Sequence, residues 1–357
     1  MDDSEINDIR LASEFKGKSF SNFKKGDVKK ELLNSLIQSK IEQSCYWSVE
    51  LICAGHYCEL WDTLLLYYTK HIHLGGPKIV LYLDTRIKNF REIITSGFGE
   101  EELRLRNNSK IRKLFCEIIC ILCEAKRMHS YDDVKIRADD FDLTHLSDKL
   151  KAPSVEYIAD VFKPSDPKEM YVALNELAYN LREPVKNTII ACYWVEWILE
   201  FDKTCKTNKN HLRCERRVLA KVDPKQQMDI VWMIWDVFVT ESLKKTKFVQ
   251  TAVQSLLNLF SVKYTTPCAK KRKYMMYFAA SLLTENIVAL EEITKNKEKV
   301  AAIVENINVV YKQVKQNECS PNTDYLFTNL GKSNLDKTIE KLEKMNSLSN
   351  AFVPRVE

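Results

Sequence analysis

Three cysteines, Cys116, Cys120 and Cys123, have the C-x3-C-x2-C spacing with which cluster-binding radical enzymes hold three irons. Thiolates are the usual ligands of iron–sulfur clusters, and in those enzymes the motif lies in a loop that follows a strand. Here the cysteines lie in an apolar run without glycine, and their offsets of 0, 4 and 7 place them on one face of a helix. We therefore predict three buried core thiols and no cluster.

A second group of metal-type side chains comprises Cys205, His211 and Cys214. Sulfur and imidazole ligands suit zinc, but a structural zinc site takes four ligands and no close fourth one is evident. A zinc-stabilised segment stays open as an alternative, while the prediction for the chain is no metal site and no cofactor. His71 and His73 are two positions apart, so their side chains share a face only in an extended segment, and we assign them no role in metal binding or catalysis.

Signatures of nucleotide binding and of catalysis are absent from the sequence. Gly331-Lys332-Ser333 and Gly17-Lys18-Ser19 end like a phosphate-binding loop, but Leu326 and Ala12 occupy the positions of the required first glycine. The sequence contains no H-E-x-x-H, G-x-S-x-G or G-x-G-x-x-G pattern, and none of its six histidines belongs to a known triad signature. We therefore predict that the protein is not an enzyme.

Positive charge is concentrated in one part of the chain. The net charge of the whole chain is +5, whereas residues 203–273 alone hold 16 basic and 5 acidic side chains. A local excess of this size attracts an anionic partner whatever the net charge of the protein. Such a face could bind nucleic acid with strong salt dependence, bind an acidic protein, or remain a solvated surface, and the sequence leaves all three open. The predicted binding residues are Lys203, Lys206, Lys209, Arg213, Arg216, Arg217, Lys221, Lys270, Lys271, Arg272 and Lys273.

The elements that carry these residues recur along the chain. Cys45-Tyr46-Trp47 is repeated as Cys192-Tyr193-Trp194, and Leu60-Trp61-Asp62 is echoed by Ile234-Trp235-Asp236. Because the period is about 150–170 residues, we predict two related domains rather than a solenoid. Flanking echoes in the same order are Leu33-Asn34-Ser35-Leu36 with Leu174-Asn175-Glu176-Leu177, and Lys110-Ile111-Arg112-Lys113-Leu114 with Lys270-Lys271-Arg272-Lys273-Tyr274.

Apolar residues recur at helical spacing through most of the chain, as in Leu33, Leu36, Ile37 and Ile41. Strand-like alternation is weak, and the best strand candidate, residues 79–83, could equally begin a helix. The predicted fold is therefore all-α, with two related helical units. We predict that the tryptophans are core residues and that the two duplicated tryptophans of each unit pack against each other across a helix pair.

The sequence also suggests domain boundaries and a compartment. The acidic N-terminus is not a signal peptide, and eleven cysteines without one indicate free thiols inside the cell, in cytoplasm, nucleus or virion. No run of 18 apolar residues exists, so we expect no membrane insertion. The predicted organisation is an N-terminal tail (1–18), unit one (19–130), a linker (131–168), unit two (169–316) with a basic insertion (203–225), and a C-terminal loop, short helix and tail (317–357).

Residues 32–77 resemble part of the helical C-terminal domain of MgsA-type ATPases, which are related to clamp loaders. The similarity rests on Ser35-Leu36, Tyr46-Trp47, Ala54-Gly55, His71-Ile72 and Pro77. The nucleotide-binding module of that family has no counterpart in this chain. The resemblance therefore implies a helical oligomerisation element associated with DNA metabolism, without an ATPase activity.

The chain as a whole resembles the lysine-rich, cysteine-containing helical proteins of large nucleocytoplasmic DNA viruses. This similarity rests on overall composition and on the stretch from Ser19-Phe20-Ser21-Asn22-Phe23-Lys24-Lys25 through Pro77. Such proteins are often virion components or replication accessories. The resemblance implies a viral protein of one of these kinds and transfers no functional residue.

Two functions are predicted from these observations. The first is a non-enzymatic helical scaffold or protein-interaction protein, such as a structural or minor capsid component of a virion, which binds a protein partner or forms a homo-oligomer. The second is a nucleic-acid-binding accessory factor of DNA replication or repair that uses the basic face in residues 203–273. They differ in whether the basic residues meet phosphates or carboxylates.

Overall fold

The computed structural model describes residues 3–96, 102–219, 221–287 and 292–319, together with residues 339 and 341. The chain is 64% helical, and its described part contains no strand, so the predicted all-α class is confirmed. The strand candidate at residues 79–83 forms the first turns of a helix. Between residues 3 and 319 the α-helices are α1 (Lys25–Ile37), α2 (Ile41–Cys53), α3 (Tyr57–Tyr67), α4 (Ile79–Thr95), α5 (Ser109–Glu124), α6 (Leu143–Ser147), α7 (Tyr171–Leu181), α8 (Thr188–Thr207), α9 (Val231–Ser242), α10 (Lys247–Phe260), α11 (Cys268–Lys271), α12 (Lys273–Thr284), α13 (Lys297–Glu305) and α14 (Asn308–Lys315).

Local sequence explains where several of these helices begin and end. The side chain of Asn108 accepts hydrogen bonds from the first turn of α5, and the side chain of Thr246 does the same for α10. At the end of α2, Gly55 adopts a φ of +77°, and His56 donates its backbone N–H to the carbonyl of Leu51. This is the glycine-dependent Schellman ending, because other residues adopt such a positive φ only at a cost. None of the described helices is long and apolar enough to cross a membrane.

The packing of helices recurs in the two halves of the chain. Helix α1 packs on α2 and α3, and α2 packs on α5; in the same way α7 packs on α8 and α9, and α8 packs on α12. Trp61 of α3 contacts Phe90 of α4 with ring centroids 5.9 Å apart, and Trp235 of α9 contacts Phe260 of α10 at 5.2 Å. This recurrence supports our proposal that the two units arose by duplication.

The duplicated tryptophans are core residues in most cases, but their predicted pairing is wrong. Trp47 packs edge-on against Phe23 and Tyr46, on the outer side of α2. Trp61 instead packs against Phe90 and Phe115, in the interior of unit one. Because Trp47 and Trp61 lie on different faces of the α2–α3 pair, each is paired with phenylalanines rather than with the other.

The two units meet along a seam to which helices of both units contribute. Helix α4 of unit one packs along α10 of unit two, and α12 packs on a π-helix, Tyr68–Ile72, that follows α3. Across this seam the ring of Tyr68 contacts Phe278, and the hydroxyl of Tyr131 bonds to that of Ser281. The units therefore form one continuous core.

Several segments predicted to be tails or linkers are packed parts of the fold. In the predicted N-terminal tail, Ile6 and Phe15 are buried. In the predicted linker, Ile158 and Val161 are buried, and the ring of Phe141 packs on a tryptophan of α8. These segments are packed because their apolar residues cover helix faces that would otherwise meet water.

The C-terminal boundary of unit two also differs from the prediction. Helices α13 and α14, placed in unit two by the sequence, pack against α5 and α2 of unit one. The chain thus returns to unit one after completing unit two. The predicted loop, short helix and tail of residues 317–357 lie almost entirely outside the described residues.

The turn before α4 depends on a glycine, and this leads to a testable prediction. A Cβ on Gly75 would lie 2.1 Å from the carbonyl oxygen of Lys126, so the backbone of one segment would have to move. We expect Gly75→Ala to lower the free energy of unfolding by about 2–3 kcal/mol, measured by urea denaturation. Gly26, in the first turn of α1, has no atom within 4 Å of an added Cβ, so Gly26→Ala should be neutral or slightly stabilising. Equal effects of the two substitutions would contradict this packing.

Candidate functional site

The basic face predicted from the sequence is partly internal, and Arg217 is the clearest case. Its guanidinium is 1% exposed and lies 2.6 Å from carboxylate oxygens of both Asp166 and Asp236. A further donor reaches the backbone carbonyl of Val161 at 3.0 Å. The assignment of Arg217 to a partner-binding surface is therefore wrong, because a fully paired and buried guanidinium is not accessible to a partner.

Arg272 and Lys273, at the start of α12, are also structural. Arg272 pairs with Asp62 across the seam at 2.9 Å and donates to two backbone carbonyls near the end of α10. Lys273 is buried between Asp133 at 2.8 Å and Glu196 at 3.1 Å. Both are corrected from partner-binding to structural cations, because each is paired with a carboxylate from a distant part of the chain.

Three further predicted cations lie at the surface, but carboxylates of the same unit already pair with them. Glu200 binds Lys203 at 2.5 Å and Lys270 at 2.9 Å. Lys206 pairs with Asp202 at 2.5 Å, one helical turn away. These lysines keep most of their hydration, but they contribute less net positive potential than their number suggests.

The remaining predicted cations are exposed. Lys209, Arg213, Arg216 and Lys221 lie on the irregular segment of residues 208–230 between α8 and α9, here named the anchored loop. Within the described residues these four side chains have no carboxylate partner within salt-bridge distance. Lys271 is also exposed but lies apart, in α11. The structure therefore concentrates the predicted site in the anchored loop.

The anchored loop has no helix over most of its length, but its backbone is fixed. Its two arms are joined by hydrogen bonds of 3.0 Å from the backbone N–H of Cys214 to Met228 and from that of Arg217 to Gln227. The indole of Trp232 donates to the carbonyl of Gln226 at 2.6 Å. With the buried Arg217 beneath them, these bonds hold the exposed cations on a prearranged backbone, which reduces the entropy lost on binding.

The acidic residues that anchor the loop were missed by the sequence analysis. Asp166 lies in the segment predicted to be a linker, and nothing in its neighbourhood marks it as a partner of Arg217. Asp236 belongs to the recurring Trp-Asp pair, and its equivalent Asp62 binds Arg272 in the same way. The repeated Trp-Asp pair could have revealed this role, because an aspartate that recurs beside a core tryptophan in both units indicates a structural function inside each unit.

The metal-type side chains of the loop are not arranged as a ligand set. Cys214 is buried with its thiol 3.4 Å from the backbone carbonyl of Asp229, whereas the side chain of His211 is exposed. Burial raises the pKa of Cys214 to about 12, which favours the thiol over the metal-binding thiolate. No group of three or more histidine, cysteine or acidic side chains in the described residues is placed to hold a metal ion.

The three cysteines of α5 are core residues, as predicted. Cys116, Cys120 and Cys123 are all buried, against α2 and its neighbours. Burial raises the pKa of Cys123 to about 12, and a hydrogen bond with Cys116 together with burial raises that of Cys120. Their thiols therefore stay protonated at neutral pH and contribute as small apolar groups.

His73 has a structural environment that its sequence did not reveal. It follows the π-helix with a φ of +33° and is 1% exposed at the seam. Its Nε2 lies 2.8 Å from the backbone carbonyl of His129, and its ring stacks on Tyr131 at 4.3 Å. The residue joins α3 of unit one to the segment that leads into unit two.

Acid is expected to weaken the seam through His73. Burial lowers the pKa of His73 to about 4, so the folded protein keeps it neutral while the unfolded chain binds a proton near pH 6.5. Its contribution is present in full above pH 6.5 and is lost as the pH falls toward 4, by about 3 kcal/mol in all. Urea denaturation at several pH values should show a shallower loss in His73→Gln, whose amide keeps a donor for His129 and does not titrate. Parallel curves for the two proteins would contradict this assignment.

No protein-family model matches the chain, and no match exists among the curated proteins or the solved structures that were compared with it. The interpretation of the site therefore rests on its own geometry. That geometry consists of five exposed cations (Lys209, Arg213, Arg216, Lys221 and Lys225) on a loop whose backbone is held by a buried ion network. It can bind carboxylates or phosphates, and it holds no nucleophile placed beside a base.

Proposed function

We propose that the protein is a non-enzymatic helical scaffold whose anchored loop binds an acidic surface of a partner protein. The observation that carries the proposal is the buried pairing of Arg217 with Asp166 and Asp236, which fixes the loop beneath its exposed cations. A network of this kind keeps Arg213 and Arg216 in place before binding. Preorganised cations suit recognition of a partner better than they suit a merely solvated surface.

The apolar character of the loop favours a protein partner. Val218 lies beside the anchoring arginine and is 74% exposed. Residues 208–230 contain no phenylalanine, tyrosine or tryptophan, so the imidazole of His211 is the one aromatic ring in the loop's sequence on which a base could stack. An exposed aliphatic side chain among arginines resembles the mixed composition of protein interfaces.

The resemblance to helical proteins of large DNA viruses supports a role for this scaffold in a virus particle. We propose that it acts as a structural component of a virion, where a protein without catalytic machinery assembles with other chains. Its two packed units and its wrapped terminal segments provide a rigid body for such an assembly. The partner is identified here only by chemistry, as a surface rich in carboxylates.

Nucleic-acid binding is the second candidate, and the exposed loop cations favour it. Arginine and lysine side chains on a fixed backbone can neutralise phosphates and release counterions. Arg217, Arg272 and Lys273 are structural residues and do not belong to the exposed face, so this face can contact fewer phosphates than the sequence predicted. The expected salt dependence is correspondingly shallower than that of a protein using the whole predicted face.

Charge reversal of the loop tests both candidates. We expect Arg213→Glu/Arg216→Glu/Lys221→Glu to weaken binding of labelled polyglutamate at least about tenfold, because the variant repels the carboxylates that the wild type attracts. Binding is measured by fluorescence anisotropy across a salt series, with single- and double-stranded DNA in parallel. Lys16→Glu/Lys30→Glu/Lys110→Glu serves as the matched control, since it changes three exposed lysines outside unit two by the same charge.

The outcomes separate the two candidates. A loss confined to the loop variant, with polyglutamate bound more tightly than DNA at equal salt, supports the acidic protein partner. Tighter binding of DNA with a steep negative salt slope, abolished in the loop variant, selects nucleic acid instead. Equal weakening in the loop and control variants contradicts the loop as the site, because it would report net charge alone.

A further inference from the structure

Unit two has a second cationic surface at the end of α8 and α9 opposite to the anchored loop. Here the turn from α7 to α8 lies beside the turn from α9 to α10. Arg182 of the first turn pairs with Glu241, near the end of α9, at 2.5 Å. We name residues 182–189 and 243–247 the paired-turn surface. Because α8 has 20 residues, this surface is about 30 Å from the anchored loop along the helix axis.

The paired-turn surface has an excess of positive charge. Lys244 and Lys247 are exposed on it, and Lys186 and Lys245 are half-buried there, with Lys186 paired to Glu183. Glu241 is buried and already accepts bonds from Arg182 and from Lys244, the latter at 3.0 Å. Burial, and to a smaller extent the nearby charge of Lys186, lower the pKa of Lys245. An anion placed among these lysines would interact favourably with their charges.

Helix termini add to the same potential. Helix α8 begins after Asn187 and α10 begins after Thr246, and each of these side chains caps its helix. The amino-terminal ends of two helices of 20 and 14 residues therefore meet at this surface. Their dipoles favour negative charge in the first turn, in addition to the lysines.

Two aliphatic side chains project from the same surface. Ile189, in the first turn of α8, is 77% exposed and is the most exposed large apolar side chain in the described part of the chain. Leu243, just after α9, is 66% exposed. Both stand beside the lysines, so the surface combines apolar anchors with a cationic border.

We propose that the paired-turn surface docks an acidic amphipathic segment of a partner protein. The carboxylates of such a segment meet the lysines, and its apolar side chains cover Ile189 and Leu243. A bilayer of anionic lipid fits less well, because Glu183 and Glu285 are exposed at the same end and a flat anionic surface would meet them too. A peptide can place its charges to avoid these two groups. The proposal does not rest on the function of the anchored loop, and a scaffold with two separate docking surfaces would hold two partners.

The test uses the full chain and a dye-labelled peptide with leucine at positions i, i+3, i+4 and i+7 and glutamate elsewhere. We expect Lys245→Glu/Lys247→Glu and Ile189→Ser/Leu243→Ser each to raise its dissociation constant at least about tenfold. The affected side chains are at the surface, so both variants should keep the circular dichroism and the unfolding transition of the wild type. Lys16→Glu/Lys30→Glu, which makes the same charge change at two exposed lysines away from both surfaces, is the matched control and should leave the dissociation constant unchanged.

Each other outcome overturns the proposal. Failure of the wild type to bind, or equal binding of a peptide in which glutamine replaces every glutamate, removes the acidic segment as the occupant. If phosphatidylserine-containing vesicles bind more tightly than the peptide through the same four residues, the surface is a lipid site. If only the anchored-loop variant Arg213→Glu/Arg216→Glu/Lys221→Glu loses the peptide, the binding belongs to the anchored loop and the paired-turn surface has no part in it.

Discussion

Replacing Arg217 by alanine is expected to lower the free energy of unfolding by about 3–5 kcal/mol. The substitution leaves the carboxylate of Asp166, whose side chain is 0% exposed, without the partner that lies 2.6 Å away in the native protein. Asp236 and the carbonyl of Val161 lose donors at the same time. A buried charge without a partner is far more costly than the loss of an exposed ion pair.

Urea denaturation of the purified protein measures this effect. Arg213→Ala is the control, because Arg213 is exposed on the same loop and should change the free energy of unfolding by less than about 0.5 kcal/mol. Arg217→Lys keeps the charge but cannot bind both aspartates through a planar fork, so it should fall between the two and stay folded. If Arg217→Ala and Arg213→Ala have the same stability, the loop is not anchored as described.

Replacing Arg112 by alanine is expected to have the second large effect. We expect it to lower the free energy of unfolding by more than about 3 kcal/mol. Arg112 is 4% exposed and bonds to Ser4, to Asn107 and to Asn308. Its guanidinium also lies 3.8 Å from the ring centroid of Tyr311, in α14. One side chain therefore holds the N-terminal segment and a C-terminal helix on unit one.

Hydrogen exchange distinguishes this role from a general loss of stability. Relative to the wild type, Arg112→Ala should accelerate the exchange of the amides of residues 4–10 and of α14 more than that of the amides of α7 and α8. Lys113→Ala is the control, because Lys113 is exposed and its ion pair with Glu305 is a surface pair worth little. Uniform acceleration across both units would contradict the view that Arg112 fastens these two segments.

The helical class and the core thiols could be predicted because they depend on local patterns. Apolar spacing of three and four residues determines a buried helix face, and the offsets of Cys116, Cys120 and Cys123 fit such a face. The ending of α2 at Gly55 follows from the residue type that adopts a positive φ at least cost. These features require information from within about ten residues of the chain.

The basic site could be predicted only in part. The sequence placed Arg213, Arg216 and Lys221 in a basic insertion, and in the structure all three are exposed. The sequence could not distinguish these three residues from Arg217, because the same residues surround all four. Arg217 differs in that it pairs with Asp166, which lies about fifty positions earlier in the chain. Burial of a charge depends on where its counterion lies in space, and periodicity carries no such information.

The sequence by itself determined the all-α class, the recurrence of aromatic helices and the concentration of positive charge in unit two, because each follows from residue types and short spacings. The tertiary structure alone decided which cations are structural. Arg112 and Arg217 are buried, and Arg272 is largely so, because carbonyls and carboxylates from remote segments converge on them. A guanidinium leaves water only where such partners replace its hydration, and their convergence is a property of the folded chain.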